Sequence, residues 1–276
     1  MKPSSIVFCL ASVLFSMDMR SQKELVKLWQ TEADLKVPES VVYHKDDQTL
    51  YFSNIEGDYK EKDHKGSIGK IDPDGKNKII DWVTGLSAPK GLGVYRSTLY
   101  VADVDEVVAI DVKAAKIIKR IPIKDAVFLN DISIDAKGTI FVSDSRTGVV
   151  HKISGDKVET FLSGQSGVNG LLCVGDDLYL LVNGMLWKSG SDRQLVKIAE
   201  GMESSTDGIE QTKNKDFIVS CWNGLIYYVT ADGKVTQLLD TRGQKLNTAD
   251  IGFDPDKNIV FVPTFFGNTI VAYQLK

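Results

Sequence analysis

Four short motifs place an oxygen-bearing side chain in similar surroundings. They are Glu39 in Pro-Glu-Ser-Val-Val-Tyr, Asn130 in Leu-Asn-Asp-Ile-Ser-Ile, Asn169 in Val-Asn-Gly-Leu and Asp207 in Thr-Asp-Gly-Ile. Each stands at the head of an apolar, strand-like run. Two carboxylates and two amide oxygens form a hard-oxygen donor set, and Ca2+ accepts such ligands readily. Taken singly, Asn130-Asp131 and Asn169-Gly170 read equally well as strand-leading turns, since Asn, Asp and Gly all favour turns. The matched set of four is what points to a divalent cation. Rival chemistries find little support. His44, His64 and His151 are scattered and read as surface-loop or strand-end residues, no zinc spacing exists, and no Ser–His–Asp or Cys–His pattern is visible.

The motifs belong to a repeat. Six segments share one order: an alternating apolar strand, a tight polar turn, and a second β-rich strand with an acidic or amide residue near its end. The pairs begin at Pro38, Pro89, Leu129, Val168, Thr206 and Thr248, recurring about every 40 residues. Further strands fit between them, for example Val107–Ile110, Leu225–Val229 and Val235–Leu239. That period predicts an all-β, six-bladed β-propeller with four strands per blade. The sixth repeat is too short by itself. Leu25-Val26-Lys27-Leu28-Trp29 reads as the strand that completes it and removes an open sheet edge.

In this architecture each repeat's first strand lines the central channel, so Glu39, Lys90, Asn130, Asn169, Asp207 and Ala249 converge at one mouth. The second strands return to the same end and bring Asn54, Asp103, Asp144, Asn183, Trp222, Phe265 and Phe266 to the rim. A polar floor with partly aromatic edges suits a small-molecule substrate. The charged stretch from Lys60 to Lys65 reads as a solvated loop that extends the long first repeat.

Composition sets the outer limits. With 276 residues, 43% hydrophobic and 25% charged, the chain is long enough for a large core and is neither disordered nor fibrous. A net charge of −4 argues against a nucleic-acid or anionic-membrane surface. Lys2 precedes an apolar run, Ile6 to Phe15, that is too short to span a bilayer but suits a signal peptide. Residues 1–21 are therefore expected to be a signal peptide and 22–276 a single propeller domain, exported to a periplasm or secreted. Cys173 and Cys221 fall on different strands of neighbouring repeats and are expected to be buried free thiols.

The ordered set Glu39, Asn130, Asn169 and Asp207 resembles that of the SMP-30/gluconolactonase/LRE-like family, over essentially the whole chain after residue 21. The resemblance implies a divalent cation, usually Ca2+, held by those four residues at the channel mouth. It also implies hydrolysis of lactones, other esters or related compounds, with Asp207 as candidate general base. Asp131 is a neighbouring carboxylate that could serve instead. Sugar-lactonase members carry an Arg two residues before the third-repeat Asn, where this chain has Phe128, so a more apolar substrate is expected. Lys90 stands in the same ring, where an ammonium would orient an anionic group or compete with the cation. Lys90, Phe128, Asp144, Trp222 and Phe265 are the expected substrate-binding residues. The alternative is an exported, non-catalytic propeller that binds a small ligand or a protein partner.

Overall fold

The computed structural model describes residues 23–276; the expected signal peptide lies outside them. The chain forms six four-stranded antiparallel sheets, each a blade of a propeller. The inner strands are Pro38–His44, Pro89–Tyr95, Leu129–Ile134, Val168–Val174, Thr206–Gln211 and Gly252–Asp254. We number the blades one to six in that order. Among the described residues no helix is long and apolar enough to cross a membrane.

Alternation explains why these segments are strands. In blade three, Ile140–Asp144 and Val149–Ser154 send every second residue into an interface with the next blade. The core is accordingly divided into six layers, one per blade junction. Leu92, Val101 and Val108 of blade two pack with Tyr51 and Ile68 of blade one. Phe217, Val219 and Leu225 of blade five pack with Leu181 and Leu186 of blade four. Every blade thus buries both faces, and the ring needs its sixth junction as much as any other.

That junction is made by the N-terminal strand. Leu25–Gln30 pairs antiparallel with Ile270–Leu275 and becomes the outer strand of blade six. Trp29 packs against the layer of Phe52, Leu50, Phe261 and Ile270 between blades six and one, and its indole N–H donates to the Pro73 carbonyl at 3.0 Å. One residue therefore ties the closing strand to the next blade.

Three expectations change. The inner strand of blade six is shorter than the run from Thr248 suggests. Residues 248–251 lie outside it: the Thr248 hydroxyl donates to the Cys221 and Leu225 carbonyls of blade five, and the Asp250 N–H donates to the Glu39 carbonyl of blade one at 3.0 Å. His151 is not a surface residue: it sits within Val149–Ser154, 8% exposed, because it faces an interblade layer. Cys173 and Cys221 are free, but only Cys221 is buried, Cys173 being half-buried.

Replacing Trp29 by Ala should lower unfolding stability by about 2–3 kcal/mol, since it deletes a large apolar contact and an indole hydrogen bond. Urea denaturation would show this as a lower midpoint at unchanged slope. An unchanged midpoint would mean that ring closure does not depend on this residue.

Candidate functional site

The site is built by one backbone device used five times. In blades one to five the pairing of the first and second strands skips two residues near the start of the inner strand, between Pro38 and Val41, Pro89 and Leu92, Leu129 and Ile132, Val168 and Leu171, and Thr206 and Ile209. Such bulges re-aim side chains. The first skipped residue of each is Glu39, Lys90, Asn130, Asn169 or Asp207, and all five line one cavity of about 420 Å3 at the channel mouth. The second skipped residue meets the neighbouring blade. A Cβ on Gly91 would lie 2.5 Å from the Asp131 Cα, and one on Gly170 would lie 2.1 Å from the Asp207 carbonyl oxygen, so only glycine fits. In blades one, three and five a serine of the second strand steadies the bulge. Ser53, Ser143 and Ser220 each accept the N–H of the second skipped residue at 2.9 Å.

The floor of the cavity is buried and partly unsatisfied. Asn169 donates its amide N–H to Asp207 Oδ1 at 2.7 Å, and Asn130 donates to Ser145 Oγ at 3.0 Å. Glu39 Oε2 and Asn169 Oδ1 have no hydrogen-bond partner. Burial, then repulsion from Asp207 and Asp250, pushes the Glu39 carboxyl well above the usual range, and Lys90 offsets part of this. Burial and Asp250 push Asp207 up likewise, against the Asn169 hydrogen bond. Lys90 is 2% exposed. Its ammonium donates to the Ala88 and Tyr59 carbonyls at 3.0 and 3.1 Å and lies 4.5 Å from the Phe128 ring centre. Desolvation lowers its pKa, while Glu39 and Asp103 pull it back up.

The donor set fits a hard cation. Two buried carboxylates that resist ionisation and two unpartnered buried oxygens form the environment a divalent ion relieves. Among the described residues no three carboxylate, imidazole or thiolate groups could hold a metal by themselves, and a cation here would need the amide oxygens as well. Lys90 opposes binding by its charge, though its hydrogen bonds hold it toward the second-blade side.

The remaining candidates divide. Phe128, Trp222 and Phe265 line the cavity, joined by Ile55, Tyr59 and Phe266. Asp144 does not. It is fully buried, and its carboxylate accepts the N–H groups of Val127, Arg146 and Thr147, which clamps the loop leading into blade three. Asp103 does the same for Ser87 and Ala88 in blade two. Asp131 is a second skipped residue and points deeper. Its two oxygens accept the N–H groups of Ile132 and Leu171, bonding blade three to blade four. It borders a separate channel cavity of about 180 Å3, together with Glu210 and Asp250.

Asp250 and Tyr59 were not singled out as site residues in the sequence. Asp250 follows the repeat position held by Ala249, accepts a hydrogen bond from Ser40 Oγ at 2.5 Å, and raises the pKa of Glu39, Asp131, Asp207 and Glu210. Tyr59 comes from the blade-one loop, which folds over Lys90; nothing in the repeat pattern marks it.

No protein-family model matches the chain, and no curated protein matches it. Solved structures do. The likeness is one of fold. A gluconolactonase from Xanthomonas campestris superposes with a TM-score of 0.70 at 14% identity, over 88% of this chain and 87% of that one. A catalytically inactive virginiamycin B lyase from Staphylococcus aureus, solved with quinupristin, gives 0.64 at 12% identity, over 92% and 99%. A nidogen/laminin complex gives 0.66 at 13% identity, over 79% and 84%. Two enzymes and a protein complex on one scaffold leave the activity to the site itself.

Burial pushes Asp250 up to about 7 and Glu210 to about 8, with Asp250 adding to the latter. A folded-state pKa above the unfolded value means the folded chain binds the extra proton, so stability is full at low pH and is lost as pH rises through those values. The melting midpoint of metal-free protein should fall by roughly 5–10 °C between about pH 5 and 9. Glu210→Gln should flatten that slope. A midpoint that rises over this interval would contradict the electrostatics described.

Proposed function

We propose that the protein is a metal-dependent hydrolase of the SMP-30/gluconolactonase type, acting on a lactone, ester or related small molecule at the channel mouth. In this reading Glu39, Asn130, Asn169 and Asp207 hold a divalent cation, Ca2+ by ligand type. The observation that carries it is the pair of buried, unpartnered oxygens, Glu39 Oε2 and Asn169 Oδ1, on the floor of a cavity. A buried acceptor without a donor costs free energy that a bound cation recovers.

When bound, such a cation supplies the positive charge that polarises a carbonyl and stabilises the oxyanion formed on it. The chain's own residues do the rest. Asn169 holds Asp207 Oδ1, leaving Oδ2 to take a proton from water. The hydroxide adds to the carbonyl carbon, the acyl–oxygen bond breaks, and the departing alkoxide regains the proton from Asp207. Asp131 does not share this role, since backbone N–H groups occupy both its oxygens. The aromatic walls hold the substrate and exclude water. In this reading residues 1–21 are a signal peptide and the chemistry takes place outside the cytoplasm.

One observation favours the alternative, a non-catalytic propeller that binds a small ligand or protein partner. The Lys90 ammonium already supplies a positive charge beside Glu39.

Calorimetric titration with Ca2+ separates the two. Binding that is present in the wild type and lost in a Glu39→Gln/Asp207→Asn variant is expected. Chelator should then abolish hydrolysis of aryl esters and lactones, and Asp207→Asn alone should lower kcat by about a hundred-fold or more. Absence of binding by any divalent ion at millimolar concentration would leave the binding-protein reading.

A further inference from the structure

We propose that the compound accepted at this mouth is aromatic, with a flat ring bonded or fused to its carbonyl group, and is not a polyhydroxylated sugar derivative. The carbonyl in this statement rests on the hydrolase reading; the ring does not.

The cavity is segregated. Its polar groups form the floor, and its walls are Ile55, Tyr59, Phe128, Trp222, Phe265 and Phe266. The aromatic residues form two groups. Trp222, Phe265 and Phe266 meet edge to face, with centroids 5.5, 6.1 and 4.7 Å apart. Tyr59 and Phe128 meet edge to face at 6.0 Å. Phe128 leads into blade three and Phe265 belongs to blade six, and in a ring of six those blades stand opposite one another. The two groups therefore flank the mouth as facing sides of a slot, the arrangement that receives a planar ring.

Phe265 packs against the small cluster of Ile55, Ala88 and Val104, but three of the other rings stand in solvent. Phe266 is 66% exposed, Tyr59 46% and Trp222 38%, whereas every other aromatic side chain among the described residues is buried or half-buried. Phe265 has a φ of +47°, the left-handed turn conformation that Val104 (+59°) and Asn183 (+48°) take at the same place in blades two and four. Thr264 and Thr269 hold its turn by hydrogen bonds through Thr264 Oγ1 at 2.8 and 3.1 Å.

The floor argues against a polyol from the other direction. Lys90 donates to two backbone carbonyls, and the amide N–H groups of Asn130 and Asn169 donate to Ser145 and Asp207. One hydrogen on Lys90 and one on each amide remain, few for a polyol's oxygens. A substrate with a hydroxyl on every carbon would bury most of them against aromatic faces, and each unpaired one weakens binding.

The test uses two probes without a cleavable acyl–oxygen bond: α-tetralone, an aryl ketone shaped like a fused aryl lactone, and myo-inositol, a polyol ring. Calorimetry with and without Ca2+ should show tetralone binding about ten-fold or more tightly than inositol. Trp222→Ala and Phe266→Ala should each weaken tetralone binding by about ten-fold. Both residues are exposed, so both variants should keep the wild-type melting midpoint. Equal or stronger inositol binding, no tetralone binding, or tetralone affinity unmoved by both substitutions would overturn the proposal. Hydrolysis is read separately. Tetralone binding without turnover of dihydrocoumarin upholds the slot while refuting the hydrolase. Turnover of gluconolactone without tetralone binding refutes the slot while upholding the hydrolase.

Discussion

Six sheets meeting around one axis bring backbones too close for regular strands, and the paired-residue bulge resolves the crowding. Each bulge sends its first residue up into the mouth and its second against the next blade. The second position must be small, like Gly91 and Gly170, or must bond across the junction, as Asp131 does to Leu171 and Ser40 to Asp250. The same kink that lets the ring close therefore presents Glu39, Lys90, Asn130, Asn169 and Asp207 to a common space. Closure and site are one structural event.

Electrostatics then set the character of that space. Asp131, Glu210 and Asp250 border the channel, and Glu39 and Asp207 lie at its mouth, all with pKa values raised chiefly by burial. Protons, the Lys90 ammonium or an added cation are the available means of balancing these groups. Lys90 has an aromatic face, Phe128, below it, and two carbonyls hold its hydrogens. The second blade thus contributes a fixed charge where an oxygen donor would otherwise stand.

Much of this was readable beforehand because a propeller writes its period into the chain. The strand Leu225–Val229 and the closing run from Leu25 appear where alternation places them. Convergence of the five floor residues follows from repeat position alone. What stayed hidden depends on contacts between distant segments. Asp144 looks like a rim residue, yet backbone N–H groups of the segment before blade three and of the turn after its own strand take its oxygens. Asp250 sits one place past the repeat position, and its neighbour across the junction of blades six and one, Ser40, is 210 residues away. Tyr59 reaches the mouth from a loop whose path no periodicity encodes, and the burial of His151 depends on which face of its strand meets the next blade.

The serines that steady the bulges occur in blades one, three and five, where Ser53, Ser143 and Ser220 stand. At the matching register in blades two and four the residues are Ala102 and Leu181. The same odd blades carry Glu39, Asn130 and Asp207, three of the four oxygen donors on the floor. Chemically the ring is three pairs rather than six equals. The odd blades fasten their corners with a serine and each sets an oxygen donor on the floor, while blades two and four bring a lysine and an amide there.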